Sequence, residues 1–339
     1  MIEQLKKLCS INGISGDENK VREYICREIE GKAECQIDNL GNIIAFKKGK
    51  STPKNKVMVS AHLDEVGFIV TYINDDGTLK FAPVGGVDPR VVFGRRVTVG
   101  RNEVTGVIGG QAVHNLSADQ RKKAPTFDTM CIDIGCGSKA DAEKLVSLGD
   151  SVCFNSGVIE FGDNKLKGKA IDDRAGCAIM LDMINSELEY DTWFTFVVQE
   201  ELGLRGATVA AYTVSPDYAI VLEATTAGDI ASVADDKKVC TLGNGPVVSF
   251  MDKRTIYDKE LYNLAFDTAI ANEIPCQTKT MIAGGNDAGA IHTSRGGVRT
   301  LAISVPCRYL HSASCVIDIQ DFNNTARLAK LMLDRIYNK

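Results

Sequence analysis

Val57-Met58-Val59-Ser60-Ala61-His62-Leu63-Asp64-Glu65 is the stretch that decides the architecture. Its apolar run reads as a strand buried on both faces, and the run ends on a histidine with an acid two positions later. The same construction returns along the chain. Trp193 to Val198 runs into Gln199-Glu200-Glu201, Tyr218 to Leu222 into Glu223, and Thr300 to Val305 leads on to Arg308-Tyr309-Leu310-His311. In open α/β sheets ligands bind beyond the carboxyl ends of the strands, so these segments converge on one crevice. A further piece, Gly168 to Gly176, carries Asp172-Asp173 at the start of a helix over Ala175 to Ile184. Asp172 is either an ordinary N-cap or, in the company of the strand-end acids, a carboxylate that bridges cations.

Around these strands the texture of the chain changes twice. Residues 3 to 31 place apolar positions at helical spacing and are broken by Asn12-Gly13-Ile14-Ser15-Gly16-Asp17-Glu18, so two helices open the chain, with Ser15 or Asp17 as the cap of the second. A second apolar run, Val66 to Tyr72, follows the His62 segment. From about 71 to 164 short alternating runs are punctuated by glycine, the mark of a small β-rich insertion. The last helix spans Gln320 to Tyr337. The expected fold is α/β: a mixed sheet sandwiched by helices, built from 1–70 and 165–339, with a barrel-like β-rich domain inserted at 71–164.

Composition narrows the partners. The chain has 339 residues, 44% of them hydrophobic, with Lys plus Arg at 39 against 44 Asp plus Glu, a net charge of -5. That balance gives no pull towards nucleic acid. No stretch approaches the roughly 20 apolar residues of a membrane span, and the N-terminus has no apolar segment behind its charges, so a cytoplasmic protein is expected. The 11 cysteines are odd in number and scattered, as reduced thiols are. Cys131 and Cys136 lack a second pair or a nearby histidine and read as packing residues rather than a zinc site.

The candidate chemistry is that of a metal site. His62 at a strand end is a ligand type, and Asp64 is placed to fix its tautomer by accepting a hydrogen bond. Glu200 and Glu201 are adjacent like charges after a buried strand, an arrangement that calls for a cation nearby. Their side chains point different ways, so one binds metal while the other serves as general base. His114 and His292 read as loop or packing residues. Gly284-Gly285-Asn286-Asp287-Ala288-Gly289 lacks the features of a phosphate loop and reads as a turn that shapes a pocket.

Taken in order, six segments resemble one family along the whole chain. They are Asn12 to Glu18, Ala61-His62-Leu63-Asp64-Glu65-Val66-Gly67, Ala170 to Gly176, Glu200-Glu201-Leu202-Gly203-Leu204-Arg205-Gly206-Ala207, Gly284 to Ala288, and Arg308 to Ser312. The family is that of the TET or glutamyl aminopeptidases, metallopeptidase family 42, some of whose members carry the name cellulase M or deblocking aminopeptidase. The resemblance implies two divalent metal ions, zinc or cobalt, with His62 and Glu223 completing one, Glu201 and His311 the other, and Asp172 between them. It implies Glu200 as general base and Asp64 as the orienting acid. It also implies peptide substrates, a dimerisation role for the insert, and a tetrahedral homododecamer. Two positions depart from the family pattern: Glu223 stands where Asp is frequent, and Asn286 where Thr is frequent.

Such a site suits removal of N-terminal residues, with the free amino group of the peptide held by a metal or by neighbouring acids. Three rivals are open at this point: a dinuclear carboxypeptidase or amidohydrolase using the same ligands, a glycosidase using Glu200 and Asp64, and a non-catalytic peptide-binding assembly protein. The glycosidase reading leaves His62 and His311 without a role.

Overall fold

The structure is a computed structural model that describes residues 1–338. Its main sheet has eight strands in the spatial order β1 (Glu34–Ile37), β2 (Ile43–Lys47), β12 (Thr192–Val197), β3 (Val57–His62), β13 (Tyr218–Thr226), β16 (Arg299–Cys307), β14 (Val247–Val248) and β15 (Gln277–Thr278). The middle four are mutually parallel, whereas β2 and β14 join them antiparallel. Helices cover both faces, which is why β3 is buried at every residue and reads in sequence as a continuous run rather than an alternation.

On one face, α1 (Ile2–Ser10), α2 (Asn19–Ile29), α5 (Ile171–Ile184), α7 (Lys259–Ala271) and α9 (Ile319–Tyr337) share a core with the sheet through Leu5, Ile25, Ala178, Leu261 and Leu328. α6 (Arg205–Val214) and α8 (Ala288–Ile291) close the other face through Ala207, Ala211 and Ile291. Each large apolar side chain sealed here contributes about 1.5–3 kcal/mol. Every parallel strand therefore ends at the same rim, with its carboxyl end free to carry polar groups.

The inserted segment closes into a six-stranded barrel that begins at Gly67 rather than at 71, in the order β4 (Gly67–Ile73), β5 (Leu79–Val84), β8 (Met130–Asp133), β7 (Val104–Gly110), β6 (Arg96–Val99), β9 (Ser151–Phe154). Pairing of Phe68 with Val152 seals the ring, so no strand edge is left open. Phe68 anchors its interior, edge-on to Phe81 at 5.1 Å and to Phe154 at 5.4 Å. The short helices α3 (Ala118–Arg121) and α4 (Lys139–Ala142) lie in its connections. A three-stranded sheet of β10 (Ile159–Phe161), β11 (Lys165–Gly168) and β17 (Cys315–Asp318) leads the chain back to α5.

Neither Ser15 nor Asp17 caps α2, contrary to the expectation from sequence: Glu18 occupies the N-cap position with no side-chain cap bond. Ser15 Oγ instead donates to the Asp64 carboxylate at 2.6 Å, and Asp17 accepts from Ser151 of the barrel at 2.6 Å. A buried acid outcompetes the helix end for the hydroxyl because a charged acceptor makes the stronger bond. No described helix is long and apolar enough to cross a membrane.

Candidate active site

The parallel register sets the site. His62, the last residue of β3, lies opposite Val197, the last residue of β12, so the imidazole and the turn through Glu200 and Glu201 are neighbours. Glu223 pairs with Ser304 inside β13, which runs three residues beyond it; the strand is longer than its apolar run. Asp172 sits in the first turn of α5, and His311 in the loop between β16 and β17. Five non-glycine residues of this rim, Ala170, Gln199, Leu204, Tyr309 and His311, have φ between 54° and 62°. Such left-handed backbone is costly and persists where the surrounding fold imposes it, as it does at functional sites.

All five candidate ligands come together. His62 Nε2 is 3.4 Å from Asp172 Oδ1 and 3.8 Å from Glu223 Oε2. His311 Nε2 is 3.4 Å from Asp172 Oδ2 and 3.2 Å from Glu201 Oε1. Asp172 thus turns one oxygen to each histidine. The other ring nitrogens face carbonyls: His62 Nδ1 is 3.0 Å from the backbone oxygen of Asp64, and His311 Nδ1 is 2.8 Å from that of Gly86. A carbonyl can only accept, so each Nδ1 carries a proton and each Nε2 is the nitrogen offered to the acids, as in a metal ligand.

Asp64 differs from expectation in how it acts. Its nearest carboxylate oxygen is 3.6 Å from His62 Nδ1, too long for a hydrogen bond, and its backbone carbonyl holds the ring instead. The carboxylate is committed to the backbone N–H groups of Glu200 at 3.0 Å and Glu201 at 3.1 Å, besides Ser15. One residue therefore orients the histidine through its main chain and the two glutamates through its side chain.

The electrostatics describe a cluster that demands positive charge. Burial alone would push both imidazoles down, yet Asp172 and the other acids outweigh it, raising His62 well above its ordinary value and His311 to about 11. Burial opposes ionisation of Asp172, but the two histidines hold it below the usual carboxylate range. Glu200 and Glu223 are pushed well up, first by burial and then by the neighbouring acids. Asp172 Oδ1 and Glu223 Oε1 are buried and accept no hydrogen bond among the described residues. Sequestered acceptors of this kind cost free energy unless a cation or donor meets them. The donor atoms of His62, Asp172 and Glu201 lie within 4.8 Å of one another, as do those of His62, Asp173 and Glu223. Imidazole and carboxylate so arranged fit divalent cations.

Sequence reading missed two acids. Asp173 accepts from Gly176 N at 2.9 Å and His62 N at 3.3 Å, taking the helix-start role that Asp172 was a candidate for; the acidic pair was its only signal. Asp287 is fully buried with both oxygens unpartnered among the described residues, and burial pushes its carboxyl up to about 7. Nothing in a glycine-rich turn announces that. His114 is exposed, and His292 Nδ1 bonds the carbonyl of Ala288 at 2.8 Å; neither joins the cluster. Asp229, the alternative to Glu223, is ion-paired to Arg308 at 2.7 Å.

The cluster forms one side of a cavity of about 420 Å³. Arg254, Lys279, Gly284, Gly285 and Asn286 line it as well, so the glycine-rich turn shapes a pocket, as its sequence suggested.

The chain matches the family model described as M42 glutamyl aminopeptidase over residues 41–328. It is 33% identical to the lysyl aminopeptidase of Pyrococcus furiosus, with 98% of this chain and 97% of that one covered. It is also 33% identical to the glutamyl aminopeptidase of Lactococcus lactis, covering 95% of this chain and 92% of the relative. Among solved structures, the Pyrococcus horikoshii TET1 peptidase, described as assembling into a tetrahedron or a large octahedral shell, superposes with a TM-score of 0.85 at 34% identity over 98% of each chain. With the fold, the acid and histidine cluster and this match along nearly the whole length in agreement, the chain belongs to the M42 glutamyl aminopeptidase family.

Proposed function

We propose that the protein is a metal-dependent aminopeptidase that releases N-terminal residues from peptides, with two divalent cations, zinc or cobalt, held by His62, Asp172, Glu201, Glu223 and His311. The observation that carries the reading is Asp172, whose two oxygens address two different histidines at 3.4 Å each. A carboxylate so placed suits a position between two cations, with His62 and Glu223 to one side and Glu201 and His311 to the other. When bound, the cations would supply Lewis acidity towards the scissile carbonyl and lower the pKa of the attacking water.

Glu200 lines the same cavity, and its backbone is fixed by Asp64. It is the general base: it takes the proton of the attacking water and returns it to the leaving amine. The acids at the cavity floor favour a free α-amino group over a blocked one. Arg254 and Lys279 make no ion pair among the described residues and face the same space, which favours an acidic side chain on the N-terminal residue. The subunits assemble through their barrels, as a homododecamer, in the cytoplasm.

The test is Glu200→Gln with aminoacyl p-nitroanilides after metal reconstitution. Metal content and fold are expected to persist while turnover drops by about 10²–10⁴-fold. N-acetylated substrates are expected to resist the wild-type enzyme. Retained turnover in Glu200→Gln rejects Glu200 as base, and equal cleavage of blocked substrates rejects the aminopeptidase reading in favour of an amidohydrolase.

A further inference from the structure

We infer that the side-chain amide of Asn286 is a substrate-binding group, donating one Nδ2–H to an acceptor oxygen of the substrate's N-terminal residue. This rests on the aminopeptidase reading above. Asn286 is nearly buried, at 9% exposure, and lines the cavity together with Glu223 and Ser304.

Its orientation is fixed by groups that have no choice of role. The backbone N–H of Ala288 donates to Asn286 Oδ1 at 2.9 Å, so the oxygen of the amide must lie on that side and the NH2 on the other. Nδ2 then sits 3.1 Å from the Tyr257 hydroxyl oxygen. That hydroxyl has already spent its proton on Asp252 Oδ2, at 2.5 Å, while Asp252 Oδ1 takes the backbone N–H groups of Arg254 at 2.7 Å and Thr255 at 2.8 Å. Tyr257 therefore accepts from Asn286. Its 3.3 Å approach to Asn286 Oδ1 is a side contact, because no proton remains to occupy it.

One hydrogen of Nδ2 is used in this way, and the other has no acceptor among the described residues. Leaving a nearly buried donor unmet costs free energy. A donor held by a chain of buried bonds to Asp252, at the wall of a cavity that receives a peptide end, is preorganised for an oxygen of that peptide. Two oxygens qualify: the carbonyl of the N-terminal residue, or its side-chain carboxylate when that residue is acidic.

The experiment compares metal-loaded wild type, Asn286→Asp and Asn286→Ala on p-nitroanilides of glutamate and of norleucine. Asn286→Asp keeps the shape and the acceptor for Ala288 but loses the donor; Asn286→Ala loses the donor without adding charge. A fall in kcat/KM of about 10–100-fold in both variants is expected, with metal content unchanged and both variants folded at the assay temperature. A fall on both substrates assigns the bond to the main-chain carbonyl, and a fall on glutamate alone assigns it to the side chain. Wild-type kcat/KM in Asn286→Ala overturns the inference, since any deficit in Asn286→Asp is then an effect of charge. A wild type without aminopeptidase activity overturns the reading of the previous subsection and this one with it.

Discussion

Arg308 and Asp229 hold the root of the loop that carries His311. The guanidinium donates to both carboxylate oxygens, at 2.7 and 2.8 Å, and Leu242 N donates to Asp229 as well, at 3.0 Å. Burial resists the charge on Asp229, yet these donors outweigh it and leave the carboxyl below its ordinary value. A carboxyl whose folded pKa is depressed contributes stability above its unfolded pKa of about 3.9, and that contribution is lost as the pH falls through the lower folded value. Asp229→Asn is therefore expected to cost about 1–2 kcal/mol at pH 7, discounted for the partial exposure of Arg308, with the gap from wild type closing below about pH 4. Urea unfolding at several pH values measures it. An equal gap at pH 7 and pH 3 contradicts the assignment.

Residues such as this mark where reading the sequence stops. His62, Glu201, Glu223 and His311 were legible as candidate ligands because a histidine or an acid beyond the end of an apolar run has only one rim to occupy in a parallel sheet, whereas Asp172 opens a helix and became a candidate only in their company. Asp173 and Asp287 were not legible, because their roles depend on which backbone N–H groups fold back against them, or fail to. Ser15 was misread for the same reason: an N-cap signature is local, whereas the carboxylate that captured its hydroxyl lies 49 residues away in sequence.

At the scale of elements, α5 is held against the site by a side chain that contacts no candidate ligand. Arg174 is fully buried and donates to the carbonyls of Leu8 and Leu63, each at 2.7 Å, and of Ile11 at 3.2 Å. It thereby ties the end of α1, the 11–13 turn and the segment following His62 to the helix that presents Asp172. Arg174→Met is expected to destabilise the protein by about 3–5 kcal/mol, because it leaves several buried carbonyls unmet at once. Thermal or urea unfolding reads this directly, and a loss below 1 kcal/mol would show that the carbonyls find other donors. The strands that carry the site, the two opening helices, α5 and α9 were recoverable from runs and periodicity; β1, β2, α6, α7 and the extent of β13 were not. Its polar residues from Glu223 onwards look like a loop, yet pairing with β16 continues to Thr226.

Across the whole molecule, the division of labour is between a two-faced α/β layer that builds the rim and a closed barrel inserted between β3 and β10. The closed barrel has no edge to share, so the contacts between copies proposed for it would use side chains; Val113, Leu148, Tyr72 and Phe93 are large apolar residues of the inserted segment that stand at least 48% exposed. Light scattering is expected to give a mass near twelve times that of the 36.7 kDa chain. A monomeric mass would remove the assembly from the proposal while leaving the site untouched.

The number of ions the chain binds bears most directly on the cage proposed for His62, Asp172, Glu201, Glu223 and His311. Apoprotein titrated with zinc in a calorimeter is expected to take up two ions per chain, and Asp172→Ala to lose tight binding of both because the shared carboxylate is gone. A wild-type stoichiometry of one or none, or an Asp172→Ala protein that still takes two, would contradict it.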